Sequence, residues 1–170
     1  WKTVSNHDLV AYGSIARQHS NSFFYGISPK LAYRSLAENN GYAFGADLGA
    51  LWQFSANGRL GANLRDFFST QVIWQDGEYE IVSPSLDLEA GYQIAPLANI
   101  PIHIALRSEM YAEGRDATVE TGKLSADFHA GLAVQPLPAL RVLAGYDADT
   151  FTAGIALAYK SLGLNDAFRN

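Results

Sequence analysis

The chain has 170 residues, 48% hydrophobic and 17% charged, with a net charge of −5 and no cysteine. Net acidity without a Lys/Arg cluster argues against nucleic acid, whose phosphates draw on grouped cations, and the lack of cysteine excludes disulfide staples. No stretch approaches the ~18 uninterrupted apolar residues of a membrane helix, so a bilayer could be crossed only by a closed β-barrel, whose apolar half is hidden in alternation.

In chain order, strands are expected over 8–19, 22–37, 41–56, 59–74, 78–94, 100–113, 123–136, 139–148 and 150–161, with a short tenth over 163–169. All fall in one domain spanning 1–170, with no segment of helical period. Turn chemistry punctuates them: His19 to Ser22, Glu38 to Gly41, Ala56-Asn57-Gly58, Gln75-Asp76-Gly77 and Asp147 to Thr150 supply residues that tolerate positive φ or cap their own backbone. Asn57-Gly58 is the sharpest hairpin signal. Pro29 falls inside the second strand, which predicts an edge or a bulge there because proline cannot donate to a ladder.

Each strand sorts into two faces. In the third, Tyr42, Phe44, Ala46, Leu48, Ala50, Trp52 and Phe54 stand against Ala43, Gly45, Asp47, Gly49, Leu51 and Gln53. Tyr42 and Trp52 are ten positions apart. At about 3.3 Å per residue and a tilt near 40°, that is roughly 25 Å, the height of an outer-membrane apolar band. Tyr25 and Tyr33 bracket Ile27 and Leu31 in the same way, and Phe151 and Tyr159 bracket Ala153, Ile155 and Leu157. These residues with Tyr92 form the expected aromatic girdle. The opposite face collects the charge, Asp47, Arg65, Asp87, Glu89, Arg107, Glu109, Asp127 and His129, which line a polar lumen in this reading and pair across neighbouring strands. Arg107 is expected to pair with Glu89 or Asp127. Alternation alone also suits a soluble sheet with a packed core; strands of 11 to 16 residues and aromatics at their ends favour lipid.

Catalytic and metal constellations are weak. Ser125, Asp127 and His129 share a strand face, but neighbours two apart lie about 7 Å from each other, beyond hydrogen-bond reach. His103 and His129 with Glu109 or Asp127 lack metal-ligand spacing, and His7 and His19 read as solvated residues at strand ends. No catalytic residue, metal or cofactor is expected. The aromatic-rich segment 67–79 and the polar segment 113–122 are expected at one rim, where Phe67, Phe68, Trp74 and Tyr79 bind a partner protein or a lipid tail or fold over the barrel mouth; the Pro-stiffened segments 95–101 and 135–139 belong at the other.

The succession Gly45 to Leu51, Leu60 to Leu64, Trp74 to Pro84 with Leu86 to Tyr92, Ala144 to Asp147, Phe151 to Tyr159 and Leu164 to Phe168 resembles the PorV/PorQ-type family of FadL-like outer-membrane barrels. The resemblance runs over nearly the whole chain and corresponds to the C-terminal half of such a protein. It implies an all-β, antiparallel up-and-down transmembrane β-barrel of about eight to ten strands here, or part of a 14-stranded one, in the outer membrane of a diderm bacterium. It further implies a non-enzymatic component of type IX-like protein secretion, with membrane lipid, secreted cargo or other envelope proteins as partners. The alternatives are a channel for hydrophobic or small solutes, and a soluble all-β binding domain.

Overall fold

A computed structural model describes residues 6–36, 39–95, 100–160 and 162–169. Among these residues fourteen strands form one antiparallel sheet: β1 Asn6–Tyr12, β2 Ile15–Ser20, β3 Phe23–Leu36, β4 Asn39–Trp52, β5 Gly58–Arg65, β6 Thr70–Trp74, β7 Tyr79–Val82, β8 Ser85–Ile94, β9 Ile102–Tyr111, β10 Val119–Thr121, β11 Leu124–Leu137, β12 Leu140–Asp147, β13 Thr150–Tyr159 and β14 Leu162–Arg169. No helix occurs among the described residues. The hydrogen-bonded path runs β1-β3-β4-β5-β8-β9-β11-β12-β13-β14, an up-and-down meander of ten lanes.

Three lanes are interrupted. β1 and β2 share one lane along β3, broken at Gly13-Ser14, where Gly13 N donates to Pro29 O. Pro29 therefore turns its donor-less nitrogen toward the break, and the expected irregularity lies in the neighbouring lane rather than in β3. The expected strand 59–74 divides into β5 and β6, which pair with opposite ends of β4. Asp66 at φ 52° and Ser69 at φ 61° turn the chain out between them. Asp and Ser tolerate or cap such local turns. Similarly, the expected strand 78–94 is β7 plus β8, with Ser83-Pro84 between. β10 pairs only with β11, forming a small hairpin through Gly122 at φ 64°.

The turns at Ala56-Asn57-Gly58, Gln75-Asp76-Gly77 and Asp147 to Thr150 lie where turn chemistry put them, whereas of the expected turn Glu38 to Gly41 the residues from Asn39 on belong to β4 and Glu38 falls outside the described residues. Ser55 and Gly58 exchange backbone hydrogen bonds of 3.3 and 3.4 Å around Ala56-Asn57. Gly58 is required by space rather than by φ, because a Cβ there would run into the ring of Phe54. Gly77, at φ 86°, closes the β6–β7 turn by donating to Trp74 O at 3.0 Å. Ala148 at φ 57° turns β12 into β13.

Directly opposite residues of an antiparallel pair share a face, so the registers assign faces across the whole sheet. One row runs Phe23, Trp52, Leu60, Ala90, Leu106, Ala130, Tyr146, Phe151, and the next runs Tyr25, Ala50, Ala62, Leu88, Ser108, Phe128. This face is predominantly apolar, with Ser108 within it and Arg17 and Asp166 on the two edge lanes, and it is exposed: Leu48 is 37%, Leu88 42% and Leu132 42% accessible, whereas the buried hydrophobics among the described residues are Ala46 and Val72. There is no packed apolar interior on this side of the strands.

The expected barrel is not closed among the described residues. β1 and β2 at one edge and β14 at the other pair on one side only, because every lane bonds to its sequence neighbour and nothing joins first to last.

Candidate functional site

The same registers place Asp47, Arg65, Asp87, Glu89, Arg107, Glu109, Asp127 and His129 together on the polar face. Asp87, Glu109 and Asp127 stand directly opposite one another across β8, β9 and β11. Three aligned carboxylates repel, so the sheet holds this row only if cations interleave it. Arg65 Nη2 reaches Asp87 at 2.7 Å and Glu109 at 3.5 Å, and Arg107 Nη2 reaches Glu109 at 2.5 Å and Asp87 at 3.4 Å. Tyr111 also donates its hydroxyl to Glu109. Arg107 thus bonds along its own strand and diagonally. Glu89 is its direct opposite, but the two acids of the carboxylate row offer two partners where Glu89 offers one. Asp127 is held instead by Arg115 at 3.2 Å and by the Thr118 amide at 2.9 Å.

The belt continues to both sides. His129 Nδ1 lies 2.6 Å from Asp147 Oδ1, and Arg169 Nη1 lies 3.7 Å from Asp147 Oδ2. On the other flank Lys30 Nζ bridges Asp47 at 2.9 Å and Asp66 at 2.7 Å, the Asp66 amide donates to Asp47 at 2.9 Å, and Thr70 donates to Asp66. Lys30 and Asp66 did not stand out in the sequence. Lys30 follows a proline, and the positive φ of Asp66 is what turns its carboxylate toward the lysine's lane. Beyond them Arg34 bonds Asp8 at 3.1 Å and reaches Glu80 of β7 at 4.0 Å, with β4 and β6 between. Two side-chain nitrogens inside the belt, Arg65 Nε and His129 Nε2, are buried without a hydrogen-bond partner.

The belt occupies the half of the polar face nearer the rim where β1 starts. Arg59, Glu89, His103 and Arg141, nearer the other rim, enter none of these pairs. Arg59, Glu89 and His103 line a recess of about 340 Å³ with Gln53, Asn57 and Gln93. The apolar face carries a furrow of about 630 Å³, floored by Ala50, Ala62, Ala90 and Ala130 between Trp52, Leu88, Leu106 and Phe128.

Of the expected girdle, Tyr25, Tyr42, Trp52, Tyr92 and Phe151 are exposed on the apolar face. Tyr33 packs on Tyr42 at 5.4 Å between centroids and donates to Asn40 Oδ1 at 2.9 Å. Phe54, expected on the same face as Trp52 but not in the girdle, stacks on Tyr92 at 6.3 Å and meets Trp52 at 6.0 Å. The Tyr159 side chain falls outside the described residues, as do residues 96–99 of the 95–101 connection.

The four loop aromatics do not form one patch. Phe67 and Phe68 sit at the β5–β6 break, Phe68 on Phe44 at 5.6 Å, while Trp74 covers Gly41 on the polar face and Tyr79 lies on the apolar face of β7. The β6–β7 hairpin tip and the 112–123 connection share the first rim, and 138–139 lies at the second. Arg115 stacks over the Tyr111 ring at 3.2 Å, tying the 112–118 segment to the sheet. His19 lies exposed near the end of β2, within the strand rather than in a loop, with its ring 6.3 and 6.4 Å from those of Phe23 and Tyr25. Ser125 Oγ donates to Glu113 O, Asp127 turns to Arg115 and His129 to Asp147, so these three do not form a relay. No cluster of three His, Asp or Glu with metal-binding geometry occurs among the described residues.

No protein family, curated protein or solved structure matches the chain.

Proposed function

We propose that the chain is a transmembrane β-sheet protein of the outer membrane, of PorV/FadL-like type, that serves protein secretion as a partner-binding component without catalysis. The observation that carries the reading is the exposed, predominantly apolar face, laid over ten lanes with charges on it at the edge lanes and closed toward both rims by aromatics. An exposed apolar surface of that extent needs a solvent other than water. Hydrocarbon covers it without a second layer, and the ion-paired belt faces away from the lipid, where charges are tolerated. The β6–β7 hairpin and the 112–123 connection, gathered at one rim, are the surface offered to secreted cargo or another envelope protein.

The test has two parts. The protein should float with vesicles and stay there through a urea wash, and deletion of hairpin residues 71–81 should abolish co-purification of an envelope partner without releasing it from the membrane. Dispersal as a monomer without detergent would refute the membrane assignment. A second reading, a channel for small solutes, draws on the recess with uncommitted Arg59, Glu89 and His103; ionic conductance in planar bilayers that falls on Glu89→Gln would favour it over the secretion role.

A further inference from the structure

We infer that the two open edges are partners for each other: β14 pairs antiparallel with β1, in one particular register, and closes the ten lanes into a barrel. This rests on the membrane assignment, because a free ladder edge in hydrocarbon leaves donors and acceptors that nothing there can satisfy.

Direction comes first. Ten lanes is an even number, so the outermost strands run opposite ways and a seam between them continues the antiparallel pattern. Position follows from the registers. Starting at Gln18, directly opposite partners run through Phe24, Leu51, Gly61, Glu89, Arg107, His129 and Asp147 to Thr150. Arg169 is opposite Thr152, two positions past Thr150, so without stagger Arg169 would be level with the point two positions past Gln18. A closed barrel tilts its strands and therefore staggers that row. For ten strands about 4.8 Å apart, with a rise of about 3.3 Å and a tilt near 40°, the stagger is about 12 residues. Twelve positions back along the edge lane, which keeps a single register through the Gly13-Ser14 break, stands Asp8.

The register so reached has features that were not used to find it. It sets Asp8 opposite Arg169, a carboxylate against a guanidinium on the polar face, both exposed in the open sheet. It sets Leu9 opposite Phe168 and Ile15 opposite Leu162, apolar against apolar; a shift by one residue would reverse every face. It also brings the ends of both edge strands to the same rim. Two charges fall on the apolar face, Asp166 beside Ala11 and Arg17 opposite Tyr25 toward the second rim. Pairing Asp166 with Arg17 instead would need a stagger of about six and a tilt near 20°, shallower than barrels adopt. A second copy could offer the same edges, but a tethered edge acts at an effective concentration in the mM range.

The chain has no native cysteine, so the seam can be trapped. In membrane-inserted protein, Leu9→Cys with Phe168→Cys should form an intramolecular disulfide under mild oxidation, since opposed Cβ atoms lie about 5 Å apart, whereas Arg17→Cys with Asp166→Cys should not. In the Leu9→Cys/Phe168→Cys background, Asp8→Arg or Arg169→Asp should lower the yield by about two- to fivefold and their combination should restore it, the range set by one opposed ion pair. Covalent dimers would overturn the closure in favour of a ring of two copies. Absence of both crosslinks in chains that still float with vesicles would overturn it in favour of further strands between the edges, leaving the membrane assignment standing. Crosslinking of the second pair would overturn the register, and failure to insert would overturn the membrane assignment and the closure with it.

Discussion

Replacing Leu88 with arginine separates hydrocarbon from water as the solvent of the apolar face. Leu88 is half-exposed on β8 and stands opposite Ala62 and Ser108, two small residues, so a longer side chain meets no wall and steric overpacking cannot explain a loss. It lies four positions from Tyr92 at the second rim. At about 3.3 Å per residue and a tilt near 40°, that is roughly 10 Å of depth, close to the middle of a 25 Å apolar band. In water an exposed Leu-to-Arg change on a strand should stay within about 0.5 kcal/mol, since the arginine stem still covers the apolar patch. At the bilayer midplane it costs about 2–4 kcal/mol, or roughly 30- to 900-fold in the folding equilibrium. Urea unfolding from vesicles, followed by tryptophan fluorescence and compared at equal slope, reads the difference, with Glu89→Arg on the polar face of the same strand as the control. A Leu88→Arg midpoint within error of wild type, or a loss matched by Glu89→Arg, would refute a lipid-facing Leu88.

Arg107→Ala should destabilise by about 1 kcal/mol, discounted because the side chain is partly solvated, by leaving Asp87 and Glu109 face to face with Arg65 as their shared cation. A denaturant double-mutant cycle with Glu109→Gln should show part of that loss recovered; strict additivity would argue against the pairing. Gly58→Ala should cost about 1–3 kcal/mol through overpacking against Phe54 and be relieved by Phe54→Ala, measured as shifts of the unfolding midpoint. In single-tryptophan variants, brominated lipid should quench Trp52 on the apolar face and spare Trp74 on the polar face over Gly41; equal quenching would contradict the face assignment.

Local chemistry wrote much of this structure openly. A period of two placed the charges and the aromatics on opposite faces, and Asn57-Gly58, Asp76-Gly77 and Asp147 to Thr150 marked the turns, because side-chain direction along a strand and the conformational preferences of turn residues depend on near neighbours alone. The ten expected strands match the ten lanes in order. What no local pattern carries is register. Which residue stands across from which is set by turn lengths, breaks and bulges summed over several strands. The alternation accordingly points Arg107 to Glu89 or Asp127, whereas the registers hand it Asp87 and Glu109 of the aligned carboxylate row. The breaks at Gly13-Ser14 and Asp66–Ser69 escaped notice for a related reason, since each shows only as a mismatch between one lane and the next. By itself the sequence determined an antiparallel ribbon with one greasy and one charged side, because alternation is a property of each strand alone. Only the tertiary structure decided which charges meet and where the edges stand open, because those depend on distances between lanes that lie far apart in the chain.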